Sequence, residues 1–170
     1  MAKASPPMTD HRKPYRVLFV CMGNICRSPA AEIVFRKLVD DEDLNGQIEI
    51  DSAGTIGYHA GNPPDARMSA ALKRRGYEIT GQSRQVKQPD LEDFSLILVA
   101  DDDNLHDVIR LDPNQQYRDK IKLLTDFCVD HSADYVPDPY YGGDQGFEEV
   151  ADLVEDACGG LLDHIRKNEL

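Results

Sequence analysis

No stretch of the 170-residue chain approaches the roughly 20 apolar residues that a membrane-spanning helix needs. Cysteine is scarce. Cys21, Cys26, Cys128 and Cys158 are too few and too irregularly spaced for the disulfide framework of a small secreted domain. Only Cys21 and Cys26 are close in sequence, and neither has a histidine or cysteine neighbour at zinc-ligand spacing, which argues against a metal site. Positive charge is in deficit. With 19 Lys and Arg against 31 Asp and Glu, the formal net charge is -12, a balance that disfavours nucleic acid and anionic membrane surfaces as partners. The first fourteen residues carry Pro6, Pro7, Pro14 and mixed charge and lack the apolar stretch of a secretory signal. Residues 1–14 are therefore expected to form a disordered arm, residues 15–168 one domain, and the cytoplasm is the default location.

What remains is an ordinary globular composition, 41% hydrophobic and 29% charged, in a chain long enough to bury one core. Residues 17–20 are continuously apolar, as in a strand buried on both faces of a parallel sheet. Further strands are predicted at residues 47–51, 95–100 and 121–124. Helices are predicted over residues 30–39, with Ser28 as N-cap and Pro29 at the first helical position, from Asp65 to a stop at Gly76, and after residues 101–104. A last amphipathic helix is predicted over residues 144–167. The segment 52–55 reads as turn, residues 130–143 as a long acidic loop, and Lys73-Arg74-Arg75 as a solvated helix end. Strands alternating with helices imply a parallel α/β sheet with its ligand site beyond the carboxyl ends of the strands.

Cys21 stands at the carboxyl end of the first strand. Gly23 and Asn24 permit a tight turn, and the five residues between Cys21 and Arg27 are enough to wrap an anion. Their N–H groups would point inward, backed by the positive end of the next helix. A thiol at the floor of such a cradle ionises readily, because the same donors that bind an anion hold its thiolate. With a net negative chain, bulk charge cannot attract phosphate, so local donors must. Cys128 and Cys158 flank apolar residues and read as small buried hydrophobes.

The segment Val20-Cys-Met-Gly-Asn-Ile-Cys-Arg-Ser-Pro29 resembles the signature of the low-molecular-weight protein tyrosine phosphatases. The resemblance extends through Asp51-Ser-Ala-Gly-Thr55, Gly61-Asn-Pro-Pro-Asp65 with Arg67, Ser83-Arg84-Gln85, Asp101 with Asn104, and Asp138-Pro-Tyr-Tyr-Gly142. It implies a single α/β domain, a four-stranded parallel sheet with helices on both faces and a phosphate-binding loop after the first strand. It also implies phosphotyrosine-containing proteins as partners, and no cofactor. Cys21 would be the nucleophile, and Arg27 would grip two phosphoryl oxygens with its planar fork. The loop Met22, Gly23, Asn24, Ile25, Cys26 and Ser28 would stabilise the transferring group, with Ser28 bonded to the thiolate. Asn24 and Ser52 would brace the loop.

Asp138 matches the family's general acid, which protonates the leaving phenolate and then deprotonates water. Read without the resemblance, Asp138-Pro139 is a turn. Tyr58, Tyr140 and Tyr141 would wall a deep slot that favours a phosphorylated ring; alternatively they are partly exposed loop tyrosines. Asp101 is either a buried carboxylate supporting the site or the N-cap of the following helix. Cys26 is either a packing residue or a partner that traps oxidised Cys21 as a disulfide. One position departs from the family: where many members carry a histidine, three residues before Arg84, this chain has Gly81. Asn24 is then expected to be held by water or by Ser52.

Three rival activities share the cradle. Arsenate reduction needs two further redox cysteines near residues 80–100, where there are none. Protein-arginine phosphatases typically carry threonine at the position of the apolar Ile25, which better suits a phenyl ring. A phosphate-binding module without turnover would need neither Cys21 nor Asp138. His59, Ala60 and the acidic 130s have no assigned role, and a monomer is the default.

Overall fold

The period-two alternation of the first strand divides the interior into two layers. The computed structural model describes residues 13–170, so most of the arm expected over residues 1–14 lies outside the described residues. Among the described residues the strands and α-helices follow in order: β1 (Tyr15–Cys21), α1 (Arg27–Asp41), β2 (Ile48–Gly54), α2 (Ala66–Arg74), α3 (Gln88–Asp93), β3 (Leu96–Val99), α4 (Asp102–Ile109), β4 (Ile121–Leu123) and α5 (Asp144–Asn168). The four strands pair in parallel in the order β2-β1-β3-β4. Val17 and Phe19 of β1 face a core built with α1, α2 and α5, while Leu18 and Val20 face a second core holding Leu91 of α3 and Val108 of α4. Both faces of the central strand are therefore dry, and Phe19 meets Phe35 of α1 edge-on at 5.7 Å. This is the four-stranded parallel sheet with helices on both faces that the family resemblance implies.

Local expectations fail in four places, each for a physical reason. The helix after the phosphate loop begins at Arg27, not after Ser28; its N-cap, Cys26, contributes no side-chain bond. The Ser28 hydroxyl is engaged instead with Cys21 Sγ at 3.0 Å. The second strand runs through residues 52–54, because Ser52, Ala53 and Gly54 pair with Phe19, Val20 and Cys21 of β1. Helix α3 was not anticipated. It is short, with Pro89 in its first turn and the Asp90 carboxylate accepting the Lys87 N–H at 2.8 Å. At its far end Lys120 Nζ donates to the carbonyls of Leu91 (2.8 Å) and Phe94 (2.6 Å), and burial lowers that ammonium below its ordinary value. Finally, the basic run 73–75 is solvated only in part: Lys73 and Arg74 are exposed, but Arg75 pairs with Glu148, Asp152 and Glu155 of α5, and Arg74 with Glu148. The side chains of two helices therefore meet as ions over the core they share. Cys158 is fully buried and Cys128 partly so.

Helix α5 approaches the 3-10 turn over Leu124–Phe127 so closely that a Cβ on Gly160 would collide with the Phe127 carbonyl oxygen, whereas one on Gly159 would meet nothing within 4 Å. Gly160→Ala is expected to destabilise the fold by about 2–3 kcal/mol through overpacking, lowering the melting temperature by roughly 5–10 °C. Gly159→Ala is expected to gain up to about 1 kcal/mol of helix propensity. Thermal unfolding of the two variants side by side checks this, and equal effects would contradict the close approach.

Candidate active site

Cys21 closes the central strand and is 2% exposed. Its Sγ meets Ser28 Oγ at 3.0 Å and accepts the Ser28 N–H at 3.4 Å. The turn that follows is possible because Asn24 adopts the left-handed region, φ 56°, which asparagine tolerates better than most residues. Outside donors then take the loop's carbonyls. Thr55 N–H binds Cys21 O (2.9 Å), Ile56 N–H binds Met22 O (3.0 Å) and Asp65 N–H binds Ile25 O (2.8 Å). Ser83 Oγ donates to Gly23 O at 3.0 Å. The two ends of a trans peptide point in opposite directions, so the N–H groups of Gly23, Asn24 and Cys26 lie on the side of the loop away from these bonded carbonyls. Gly54 permits the approach, since a Cβ there would lie 2.7 Å from Met22 O. The result is a set of donors on one side of the loop, with the N-terminus of α1 behind it.

The side chain of Asn24 answers how the loop is held without the family's histidine. Its Nδ2 donates to Ser52 Oγ (2.9 Å) and Ser28 Oγ (2.8 Å), and its Oδ1 accepts the Arg84 N–H (3.0 Å). Ser52, one of the two expected holders, is among these partners; the Arg84 backbone and Ser28 were not anticipated in that role. Arg84 is itself clamped by Asp51 and Asp90.

Arg27 is 4% exposed. Its Nη1 donates to Asp101 Oδ2 (2.6 Å) and Val136 O (3.0 Å), and its Nη2 lies 3.8 Å from Asp138 Oδ2. Burial by itself would lower the guanidinium, but Cys21, Asp101 and Asp138 outweigh it and hold Arg27 above its ordinary value. One partly exposed carboxylate makes both contacts: Asp101 Oδ2 takes Arg27 while Oδ1 caps α4 by accepting the Asn104 N–H at 2.8 Å. Cys26 is buried, and burial first, then Asp65, Cys21 and Asp138, push its thiol well above the ordinary range.

Asp138 comes from the long loop before α5, which is tied down at three points. Val136 N–H donates to Ala100 O at 2.8 Å. Asp156 accepts the N–H groups of Val129, Asp130 and His131. Arg67 Nη2 donates to Tyr140 O at 2.9 Å, with its guanidinium over the Tyr140 and Phe147 rings at 5.4 and 4.6 Å. Asp138 Oδ1 in turn accepts the Tyr140 N–H at 3.1 Å.

These pieces enclose a cavity of about 40 Å³ lined by Cys21, Met22, Gly23, Ile25, Cys26, Arg27, His59, Asp138 and Tyr140. Cys21, Arg27 and Asp138 thus meet at one opening. Of the three tyrosines named from the sequence, Tyr140 lines this cavity. Tyr58 and Tyr141 are 84% and 91% exposed and stand outside it, edge-on to His59 and Tyr140 at 4.9 Å each. His59 supplies the wall instead, packed over Gly23 so closely that a Cβ there would lie 3.0 Å from its ring. The sequence held no signal for that beyond its neighbourhood to Gly61. Two larger surface grooves, of about 490 and 440 Å³, hold neither the nucleophile nor Arg27. Among the described residues no three His, Cys, Asp or Glu side chains gather around a metal position, and no helix is long and apolar enough to cross a membrane.

A family model described as low molecular weight phosphotyrosine protein phosphatase matches residues 16–170. The chain belongs to that family. A low molecular weight protein-tyrosine-phosphatase from Streptomyces coelicolor is 44% identical over 155 residues, covering 90% of this chain and 94% of the relative. The human low molecular weight phosphotyrosine protein phosphatase is 42% identical over 148 residues, covering 86% and 93%. A crystal structure of the protein tyrosine phosphatase from Entamoeba histolytica, with Hepes in the active site, superimposes with a TM-score of 0.88 at 43% identity over 92% of this chain and 99% of that one.

Of the three ties on the Asp138 loop, Arg67 is the one beside Tyr140 at the cavity. Arg67→Met is expected to lower turnover of a poor leaving group, phenyl phosphate, by about tenfold, or 1.4 kcal/mol. Turnover of 4-nitrophenyl phosphate, which needs little help from an acid, is expected to fall much less. Steady-state kinetics on both substrates check this, and equal losses would assign Arg67 to folding alone.

Proposed function

We propose that this chain hydrolyses phosphotyrosine in proteins through a cysteinyl-phosphate intermediate. The observation that carries the reading is the convergence of Cys21 Sγ, the Arg27 guanidinium and the Asp138 carboxylate on one cavity, with the Ser28 N–H on the sulfur. In the first step the Cys21 thiolate attacks phosphorus in line. The S–P bond forms as the bond to the phenol oxygen breaks, and Asp138 gives its proton to that oxygen. The phosphoryl oxygens are held by the loop N–H groups and by Arg27, whose Nη1 stays on Asp101 and Val136 while the rest of the fork faces the cavity. In the second step water attacks phosphorus and passes a proton to Asp138. The S–P bond breaks, and the departing thiolate accepts a hydrogen bond from the Ser28 hydroxyl.

Ile25 on the cavity wall favours a phenyl ring over a charged guanidine, which supports phosphotyrosine rather than phosphoarginine. Ser52 and Asp101 support the loop and the arginine, and Tyr140 lines the cavity, with Tyr58 and Tyr141 forming its outer rim. The partners are phosphotyrosine-containing proteins, met in the cytoplasm by a monomer. The charge of -12 turns it away from nucleic acid and anionic membranes.

Wild type is expected to hydrolyse aryl phosphates. Cys21→Ser is expected to abolish turnover, and Asp138→Asn to lower kcat about 10²- to 10³-fold. No turnover by wild type would sink the reading, and preference for a phosphoarginine over a phosphotyrosine peptide would overturn its substrate.

The site also supports redox control. Peroxide converts the Cys21 thiolate to a sulfenic acid, and the Cys26 thiol then displaces water to leave a Cys21–Cys26 disulfide that thiols reduce. Cys26→Ser is expected to lose thiol-recoverable activity after peroxide treatment, measured as activity regained with dithiothreitol. Unchanged recovery would rule the switch out.

A further inference from the structure

Glu32 is an acidic residue on an amphipathic helix, yet it is only 9% exposed. Its Oε1 accepts the Ser52 hydroxyl at 2.6 Å and its Oε2 pairs with Arg36 at 2.7 Å. Ser52 Oγ accepts Asn24 Nδ2 at 2.9 Å, Asn24 Nδ2 also donates to Ser28 Oγ at 2.8 Å, and Ser28 Oγ meets Cys21 Sγ at 3.0 Å. Four hydrogen bonds thus join a buried carboxylate to the nucleophile. Burying a carboxylate is costly unless it is paired and bonded, and here its only direct contacts outside its own helix turn lead into the phosphate loop. We infer that Glu32 is a positioning residue that holds the phosphate-binding loop in its anion-binding shape through Ser52 and Asn24.

Chemistry fixes the direction of the chain. A carboxylate only accepts, so the single Ser52 proton goes to Glu32 and the Ser52 oxygen is left to accept. The Asn24 amide nitrogen only donates, and Arg84 N–H on Oδ1 fixes which end of the amide faces the serines. Ser28 therefore accepts from Asn24, and its own proton is free for Cys21 Sγ, which is closer than its other acceptor, Ala53 O, at 3.4 Å. Charge at the Glu32 end strengthens each bond that follows. The neighbouring segment gives Glu32 no support. Gly81, φ 100°, offers no side chain, and a Cβ on it would still lie 3.9 Å from Oε1. A small gap of about 10 Å³, lined by Pro29, Thr80 and Gln82, lies beside it. Among the described residues Glu32 is the one acceptor of the Ser52 hydroxyl proton.

This inference rests on the reading of Cys21 as nucleophile. The test compares wild type with Glu32→Ala, Glu32→Gln and Cys21→Ser, measuring kcat on an aryl phosphate and the competitive inhibition constant of inorganic phosphate. Gly160→Ala serves as a destabilised control far from the loop. Glu32→Ala is expected to weaken phosphate inhibition and lower kcat by about 10- to 100-fold, the range for a misplaced reacting group. Glu32→Gln keeps an acceptor without the charge and is expected to lose roughly three- to tenfold; if Glu32→Ala does not fold, this variant decides. Gly160→Ala is expected to leave the inhibition constant unchanged. Both Glu32 variants within twofold of wild type, with Cys21→Ser dead, would overturn the inference. An equal weakening in Gly160→Ala would overturn it too, by reducing Glu32 to general stability. Activity retained by Cys21→Ser would instead overturn the nucleophile assignment.

Discussion

The structure depends on one residue's backbone. Asn24 at φ 56° reverses the chain directly after the central strand, and the rest of the loop's geometry follows. With the chain reversed, the carbonyls of Cys21, Met22, Gly23 and Ile25 face outward to Thr55, Ile56, Ser83 and Asp65, and the opposing N–H groups face inward. A left-handed residue is costly on its own. It persists because three hydrogen bonds of its side chain tie it to β2 through Ser52, to α1 through Ser28 and to the loop backbone at Arg84. The anion site is thus built from backbone, which suits a protein whose net charge repels anions.

The second constraint couples that cradle to the loop before α5. Arg27 is the shared member: it starts α1, and its guanidinium bonds both Asp101, the cap of α4, and the carbonyl of Val136. Asp65 caps α2 and also binds the phosphate loop, while Arg67, two residues on, holds Tyr140. The nucleophile and the proposed acid come from segments more than a hundred residues apart, and they meet because helix ends, whose free N–H groups need partners, are clustered at the carboxyl edge of the sheet. Electrostatics here serve position more than stability: most of the carboxylates involved have two partners and no freedom left.

How much was legible in the sequence follows from the range of each interaction. The strand Val17–Val20 and the alternation of strands with helices are strong local patterns, and both are found; helices on both faces of the sheet were implied by the family resemblance. Ser28 as N-cap was a sound local reading that failed because its hydroxyl has a better partner in Cys21. Residues 52–54 look like turn until β1 lies beside them. Arg75 looks solvated until α5 supplies three carboxylates. Tyr58 and Tyr141 could be assigned to the neighbourhood of the site but not to the cavity, because loop side chains are aimed by packing against His59 and Tyr140 rather than by any local period. Glu32 was hidden for the opposite reason: an acidic residue on an amphipathic helix looks like solvated surface, and only the position of β2 reveals that it is buried against Ser52.

The central claim is that the loop is preorganised to bind a tetrahedral oxyanion and does not fold around it. Paired crystal structures, without ligand and with orthovanadate bound to Cys21, test it most directly. The account requires Asn24 to remain left-handed in both, with its bonds to Ser52 and Ser28 intact and the vanadate oxygens on the inward N–H groups and Arg27. A ligand-free loop with Asn24 in another conformation, or a vanadate seated away from Cys21, would contradict it.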